Sequence, residues 1–106
     1  MSNVIVVATL RVREGAEEEG MAVLRELAER SHPEEGCLAY AVHRAADDPR
    51  TVVMVERWAS REALDAHFQQ PHVAQAAARS AELLDGQPTI LFLDPVPVGD
   101  PAKGVL

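Results

Sequence analysis

Apolar residues follow two different spacings along this chain, and the changes of spacing divide it into strands and helices. Runs rich in Val and Ile that are continuous or alternate with polar residues are typical of strands. Apolar stripes with three- and four-residue spacing are typical of helices with one buried face. The pattern predicts strands over residues 4–12, 37–44, 51–58 and 89–93, and helices over 17–30, 61–69 and 71–84.

Local signals fix several of these boundaries. Ser60 is a favourable N-cap for the helix over 61–69, and Pro71 suits the first turn of the next helix. Residues 47–49, with the sequence Asp-Asp-Pro, have the composition of a turn, so the second and third strands form a hairpin. Gly86 follows the last helix, where glycine commonly ends helical structure.

The order βαββαβ, with a split second helix, predicts an α+β ferredoxin-like fold. One domain over residues 1–94 accommodates it, and the proline-containing tail over 95–106 is predicted to be extended or disordered. The first strand is apolar on both faces, although helices cover only one side of such a sheet. The open face is therefore expected to pack against a second copy of the chain.

The charge balance excludes some partners. The chain has 10 basic and 17 acidic residues and no basic run, so nucleic acid and anionic membrane surfaces are poor partners. No apolar run approaches the roughly 20 residues of a membrane span. A single cysteine, Cys37, rules out an internal disulfide, and the first residues do not resemble a signal peptide. These features predict a cytoplasmic protein.

Two ionisable residues stand out at apolar positions. His67 lies on the apolar side of its helix, where it is either a hydrogen-bonded core residue or a general base. Glu56 shares a period-two set with Met54 and Trp58, so it is either ion-paired or a pocket carboxylate with a raised pKa.

The remaining candidates have a structural and a functional interpretation each. Trp58 is a core anchor, a flat wall for an aromatic ligand, or both. Tyr40 is a packing residue or a hydrogen-bond donor to a substrate oxygen. His72 begins a helix, and its spacing from His67 across Pro71 is not the i, i+4 pattern of a helical zinc site, so no metal is predicted. The sequence has no Gly-x-Gly-x-x-Gly pattern, which disfavours a nicotinamide or flavin cofactor.

Three short motifs occur in a characteristic order. They are Glu35-Gly36-Cys37-Leu38-Ala39-Tyr40, then Glu56-Arg57-Trp58, then His67 followed by Pro71-His72. In this order and spacing, from about residue 4 to about residue 93, the chain closely resembles the antibiotic biosynthesis monooxygenase family. The resemblance implies a homodimer whose two sheets form an α+β barrel.

The resemblance also implies a reaction, which is the oxidation of a phenolic or quinol-like aromatic compound by O₂ without a cofactor. The expected catalytic residues are His67 as the base, with Glu56 and Tyr40 as orienting groups. The expected substrate-binding residues are Trp58, Met54, Phe68 and His72. An isomerase or a small-ligand-binding protein on the same scaffold, or a non-catalytic dimeric module, remains an alternative, because one fold supports different chemistries.

Overall fold

The elements follow the predicted order in a computed structural model, which describes residues 3–106. The predicted domain over 1–94 therefore begins with two residues that lie outside the described part. The strands are β1 (Val4–Arg11), β2 (Cys37–Ala45), β3 (Asp48–Trp58) and β4 (Thr89–Leu93), and the helices are α1 (Glu17–Ser31), α2 (Arg61–Phe68) and α3 (Pro71–Leu83). The α+β ferredoxin-like prediction is confirmed.

The four strands form one antiparallel sheet in the order β2-β3-β1-β4. Its register places Tyr40, Glu56, Val6 and Phe92 side by side in one row across the sheet. Paired residues of antiparallel strands project to the same face. A polar pair from β2 and β3 is therefore set beside apolar residues of β1 and β4, on the face that carries the helices.

The helices cover this face and enclose the core. Val23 and Leu24 of α1 and Leu64 of α2 are almost completely buried in the same cluster as the inward residues of β1 and β3. Burial of an aliphatic side chain of this size stabilises a fold by roughly 1.5–3 kcal/mol. The amphipathic stripes therefore supply the main stabilisation that holds the helices on the sheet.

The hairpin turn differs from its prediction. It lies at residues 46–47, and β3 begins at Asp48, so Pro49 is inside a strand and not in the turn. The Asp48 carboxylate accepts hydrogen bonds from the Arg50 N–H at 3.0 Å and the Thr51 hydroxyl at 2.7 Å. These bonds organise the first residues of the strand.

The predicted cap is confirmed, since the Ser60 hydroxyl accepts a hydrogen bond from the Ala63 N–H at 3.1 Å.

The loop before β2 approaches α2 closely because of Gly36. This residue has a φ of +86°, and a Cβ atom here would collide with the Cβ of Ala63. Glycine alone adopts such a backbone conformation without strain and leaves room for the helix. The Gly36 carbonyl also accepts a hydrogen bond from the Ala59 N–H at 2.8 Å. The loop over residues 32–36 is thereby held against the start of α2.

The end of the chain is more open. All five residues of β4 are exposed, and residues 94–106 contain turns but no helix or strand. The exposed apolar side chains of β4 are Ile90, Leu91, Phe92 and Leu93. Within residues 3–106, no helix combines the length and the apolar character that crossing a bilayer requires.

Candidate active site

A cavity of about 330 Å³ lies between the sheet and the helices. Its floor includes Val6 and Ala8 of β1 together with Met54 and Glu56 of β3. One wall is formed by small side chains of α3, namely Ala76, Ala77, Ser80 and Ala81. An apolar cavity of this size with few polar groups is typical of a site for a small organic molecule.

Five of the seven residues predicted for the site line this cavity. They are Tyr40, Met54, Glu56, His67 and Phe68. The sheet row brings Tyr40 next to Glu56, and the last turn of α2 brings His67 and Phe68 over them. Tyr40 and His67 have their ring centres 5.9 Å apart. Residues distant in sequence therefore meet at one cavity.

The other two predicted residues are placed differently. Trp58 is completely buried and is not among the residues that line the cavity, a position that fits the core-anchor interpretation. It lies at the end of β3, where the chain turns into α2, and its ring packs on His67 with centroids 4.5 Å apart. His72 also lies outside the cavity lining, because its ring turns toward the loop before β2. Trp58 and His72 therefore contact residues beside the cavity without lining it themselves.

Glu34 is a site residue that the sequence analysis did not identify. Its Oε2 atom lies 2.8 Å from Nδ1 of His67 and 2.8 Å from Nε2 of His72. An ionised carboxylate only accepts hydrogen bonds, so each of these ring nitrogens carries a hydrogen and donates a hydrogen bond to it. A neutral His67 then keeps its free lone pair on Nε2. A histidine on the apolar side of a helix needs a hydrogen-bond partner, and for His67 this need is the one sequence signal that could have indicated a carboxylate nearby.

Glu56 is buried, and its carboxylate has one hydrogen-bond partner among residues 3–106. Its Oε1 atom accepts a hydrogen bond from Nε1 of Trp58 at 2.9 Å. Within residues 3–106 no basic side chain pairs with it. Burial raises the pKa of Glu56 to about 7, and the nearby Glu34 charge acts in the same direction, while the bond from Trp58 opposes them. Near neutral pH this carboxyl group is therefore present in both its protonated and its ionised form.

Tyr40 and Cys37 both stay protonated. Burial, followed by the charge of Glu56, raises the pKa of the Tyr40 phenol, so its hydroxyl is a hydrogen-bond donor at the cavity. The Tyr40 carbonyl accepts from Nε2 of His32 at 2.9 Å, which fixes the strand locally. Burial also raises the pKa of the Cys37 thiol, and an unactivated thiol is a poor nucleophile.

The sequence of this chain matches a known family. The family model described as antibiotic biosynthesis monooxygenase matches residues 3–79, well over half of the chain. The chain belongs to the antibiotic biosynthesis monooxygenase family. Membership supports a monooxygenase-like function, and the matched region contains all three segments that carry Glu34, Glu56 and His67.

Several relatives of this antibiotic biosynthesis monooxygenase family member are similar over most of its length. Rv0793 of Mycobacterium tuberculosis is 33% identical over 95 residues, covering 90% of this chain and 93% of the relative. Its solved structure has a TM-score of 0.86, with 93% of this chain and 100% of that chain covered. A structure described as an antibiotic biosynthesis monooxygenase is 29% identical, with a TM-score of 0.84 and coverage of 89% and 99%.

A longer relative occurs in Synechocystis. The protein sll1783 is 30% identical over 81 residues, which make up 76% of this chain. The match spans 55% of the length of that relative.

The raised pKa of Glu56 predicts a pH dependence of stability in this antibiotic biosynthesis monooxygenase family member. Ionisation is harder in the folded state, with a pKa of about 7 against an ordinary value of 4.5, so stability falls as the pH rises through this interval. Glu56→Gln removes the ionisation and keeps an acceptor for Trp58. Between pH 5 and pH 8, the wild type should lose on the order of 2 kcal/mol relative to the variant.

Urea unfolding of both proteins at several pH values measures this difference. Glu62→Gln, at an exposed glutamate of α2, is the matched control and should follow the wild type. Parallel stability curves for the wild type and Glu56→Gln would contradict a buried, hard-to-ionise Glu56.

Proposed function

We propose that this protein is a monooxygenase that oxidises a phenolic or quinol-like aromatic compound with O₂ and requires no cofactor. The observation that carries the proposal is the placement of His67 at the cavity. Its Nδ1 is held by Glu34 at 2.8 Å, which leaves Nε2 as the proton acceptor of a residue that lines a largely apolar cavity together with Glu56. Family membership supports the reaction class, and the substrate class is the proposal.

The proposed reaction draws its electrons from the substrate. His67 removes a proton from a phenol, or from the methylene group of its anthrone-like tautomer, and leaves an electron-rich carbon. This carbon forms a C–O bond with O₂, and a returned proton gives a hydroperoxide. Loss of the second hydrogen from the same carbon and cleavage of the O–O bond give a carbonyl group and water. In total, CH₂ and O₂ become C=O and H₂O, a four-electron oxidation of carbon by one O₂.

The surrounding side chains fit the needs of these steps. Glu34 fixes the tautomer of His67 and stabilises the imidazolium that forms, so it is a positioning residue. The Tyr40 hydroxyl can donate a hydrogen bond to the phenolate oxygen. The Glu56 carboxyl, protonated below a pH of about 7, can return a proton to the peroxide oxygen. Met54 and Phe68 supply apolar walls that keep water away from the charged intermediate.

Oxygen consumption tests the proposal directly. The purified protein, with metals chelated and without flavin or nicotinamide, is mixed with a panel of anthrones, naphthols and hydroquinones in an oxygen electrode. We expect uptake above the uncatalysed rate, with one O₂ consumed per quinone formed. With ¹⁸O₂, one labelled atom should appear in the quinone and one in water. No uptake across the panel, despite ligand binding in the cavity, would instead favour the isomerase or ligand-binding alternative.

We also propose that the chain acts as a homodimer through the helix-free face of the sheet. Leu91 and Leu93 of β4 share this face with Ile5 and Val7 of β1, and both leucines are exposed. The Nε atom of Arg57 faces the same side, where it is buried without a hydrogen-bond partner among residues 3–106. An apolar face with a buried, unpaired donor is suited to a partner that supplies the missing contacts.

Light scattering after size exclusion should give twice the mass of one chain at micromolar concentration. Leu91→Asp places a charge on the proposed interface and should shift the mass toward one chain, because a buried unpaired carboxylate is costly. Ala78→Asp, on the exposed side of α3, is the control and should leave the mass unchanged. A monomer mass for the wild type would overturn the dimer.

A further inference from the structure

We propose that Glu34, His67 and His72 form a binding site for a divalent transition metal ion such as Zn²⁺. This goes beyond the proposed oxidation, which needs no metal. It also departs from the sequence-based expectation that the spacing of His67 and His72 gives no metal site. The three ligand atoms are Oε2 of Glu34, Nδ1 of His67 and Nε2 of His72, and all lie within 4.8 Å of one another.

The donor set and its geometry suit zinc. Two imidazole nitrogens and one carboxylate oxygen form a familiar ligand set for Zn²⁺, with a fourth position left for water. Both nitrogens lie 2.8 Å from the same oxygen, and the two nitrogens lie within 4.8 Å of each other. Ligand atoms of a tetrahedral zinc site lie roughly 3.3 Å apart, given metal–ligand distances of about 2.0–2.2 Å. The ion therefore requires each N···O pair to separate by about half an ångström and the two nitrogens to take up the same spacing of roughly 3.3 Å, which small rotations of the two rings can provide.

The three ligands come from three separate segments. Glu34 lies in the loop before β2, His67 in the last turn of α2, and His72 in the first turn of α3. The short connection between the two helices, with Pro71 at the start of α3, turns both rings toward the same carboxylate. An i, i+4 rule applies within one helix, so it does not detect this arrangement across a helix junction.

Burial keeps the ligands in place before a metal arrives. The side chains of His67, Glu34 and His72 are only 3%, 10% and 13% exposed. His67 is packed against Trp58, which limits the motion of its ring. His72 is the most exposed of the three and borders a small surface crevice, which gives the ion a route to the cluster. The basic residues of that crevice, Arg30 and Arg79, are both paired with Glu26.

A bound ion changes what His67 presents to the cavity. With the metal on Nδ1, a neutral imidazole carries its proton on Nε2, so the proton acceptor of the proposed reaction is lost. Zn²⁺ is therefore expected to inhibit the oxidation, a consequence that rests on the proposed function. The site itself does not rest on that function.

Cobalt binding tests the site independently of activity. The protein of 106 residues, stripped with EDTA and exchanged into metal-free buffer, is titrated with Co²⁺ and followed by visible spectroscopy. We expect the intense d–d bands of a low-coordinate Co²⁺ ion, saturating at one ion per chain and displaced by Zn²⁺. Glu34→Gln and His72→Ala should each weaken binding at least tenfold, since even outer-shell changes cost about 10–100-fold.

His43→Ala is the matched control, because His43 is an exposed histidine on β2 outside the cluster, and its titration should equal that of the wild type. Zn²⁺ should also raise the melting temperature of the wild type and of His43→Ala, but not that of His72→Ala. An absence of bands, or bands that persist in both ligand variants, would overturn the site. If no oxygen uptake is found for any substrate, the cobalt titration still decides this proposal by itself.

Discussion

His67→Ala is expected to lower the rate of substrate oxidation by about 10²–10⁴-fold, the usual contribution of a positioned general base. The reason is the loss of the one imidazole that combines a fixed tautomer with a place on the cavity wall. The fold should survive, because Glu34 keeps His72 as a hydrogen-bond partner and the remaining core is unchanged. The rate should therefore fall far more than the stability.

The measurement pairs kcat from oxygen uptake with the free energy of unfolding in urea. Glu62→Gln, at an exposed glutamate of the same helix, is the control and should match the wild type in both. Added imidazole should partly restore the rate of His67→Ala, since a free base can enter the space left by the ring. A variant with full activity and a lower melting temperature would assign His67 to structure alone.

Trp58→Ala should be the most destabilising single substitution, costing about 3–5 kcal/mol, as is usual for a large buried aromatic residue. Trp58 has no exposed surface, packs on His67 at 4.5 Å and donates to Glu56 at 2.9 Å. The substitution therefore opens a void and leaves a buried carboxyl without its donor. Against a total stability of about 5–15 kcal/mol for a typical domain, this loss is large.

Trp58→Phe keeps the test informative if the alanine variant does not fold. It retains most of the ring and removes only the N–H, so it should cost about 1–3 kcal/mol, the penalty for an unsatisfied buried partner. Urea unfolding of both variants gives the two values. If Trp58→Ala were as stable as the wild type and only ligand affinity changed, Trp58 would be a cavity wall after all.

Much of the fold was predictable because local signals and tertiary packing agree. The strand over 89–93 and the starts of all three helices match their sequence predictions. The signals used for them are local, namely the spacing of apolar residues, the N-cap Ser60 and the fixed φ of Pro71. The hairpin turn was misplaced because the position of the turn depends on bonds that the Asp48 side chain makes to its neighbours. Composition alone does not specify those bonds.

The site was only partly predictable, for a different reason. Glu56 and His67 stood out as ionisable residues within apolar patterns, and both line the cavity. Glu34 lies in a loop without periodicity, and its importance arises only where Gly36 lets that loop approach α2. The depth of Trp58 likewise depends on how α2 covers the end of β3. Patterns therefore identify residues with unusual burial, while their partners follow from the three-dimensional arrangement.

The alanine-lined wall of the cavity can limit the size of the bound molecule without taking part in the reaction. The α3 residues at the cavity have small side chains and none of the groups that the proposed reaction uses; they are Ala76, Ala77, Ser80 and Ala81. A bulkier residue at Ala77 or Ala81 would subtract volume without displacing His67, Glu56 or Tyr40. Substitutions on this one face of α3 can therefore change which molecules the cavity accepts. Each carbon added to a side chain there reduces the cavity volume, while the residues of the proposed reaction stay in place.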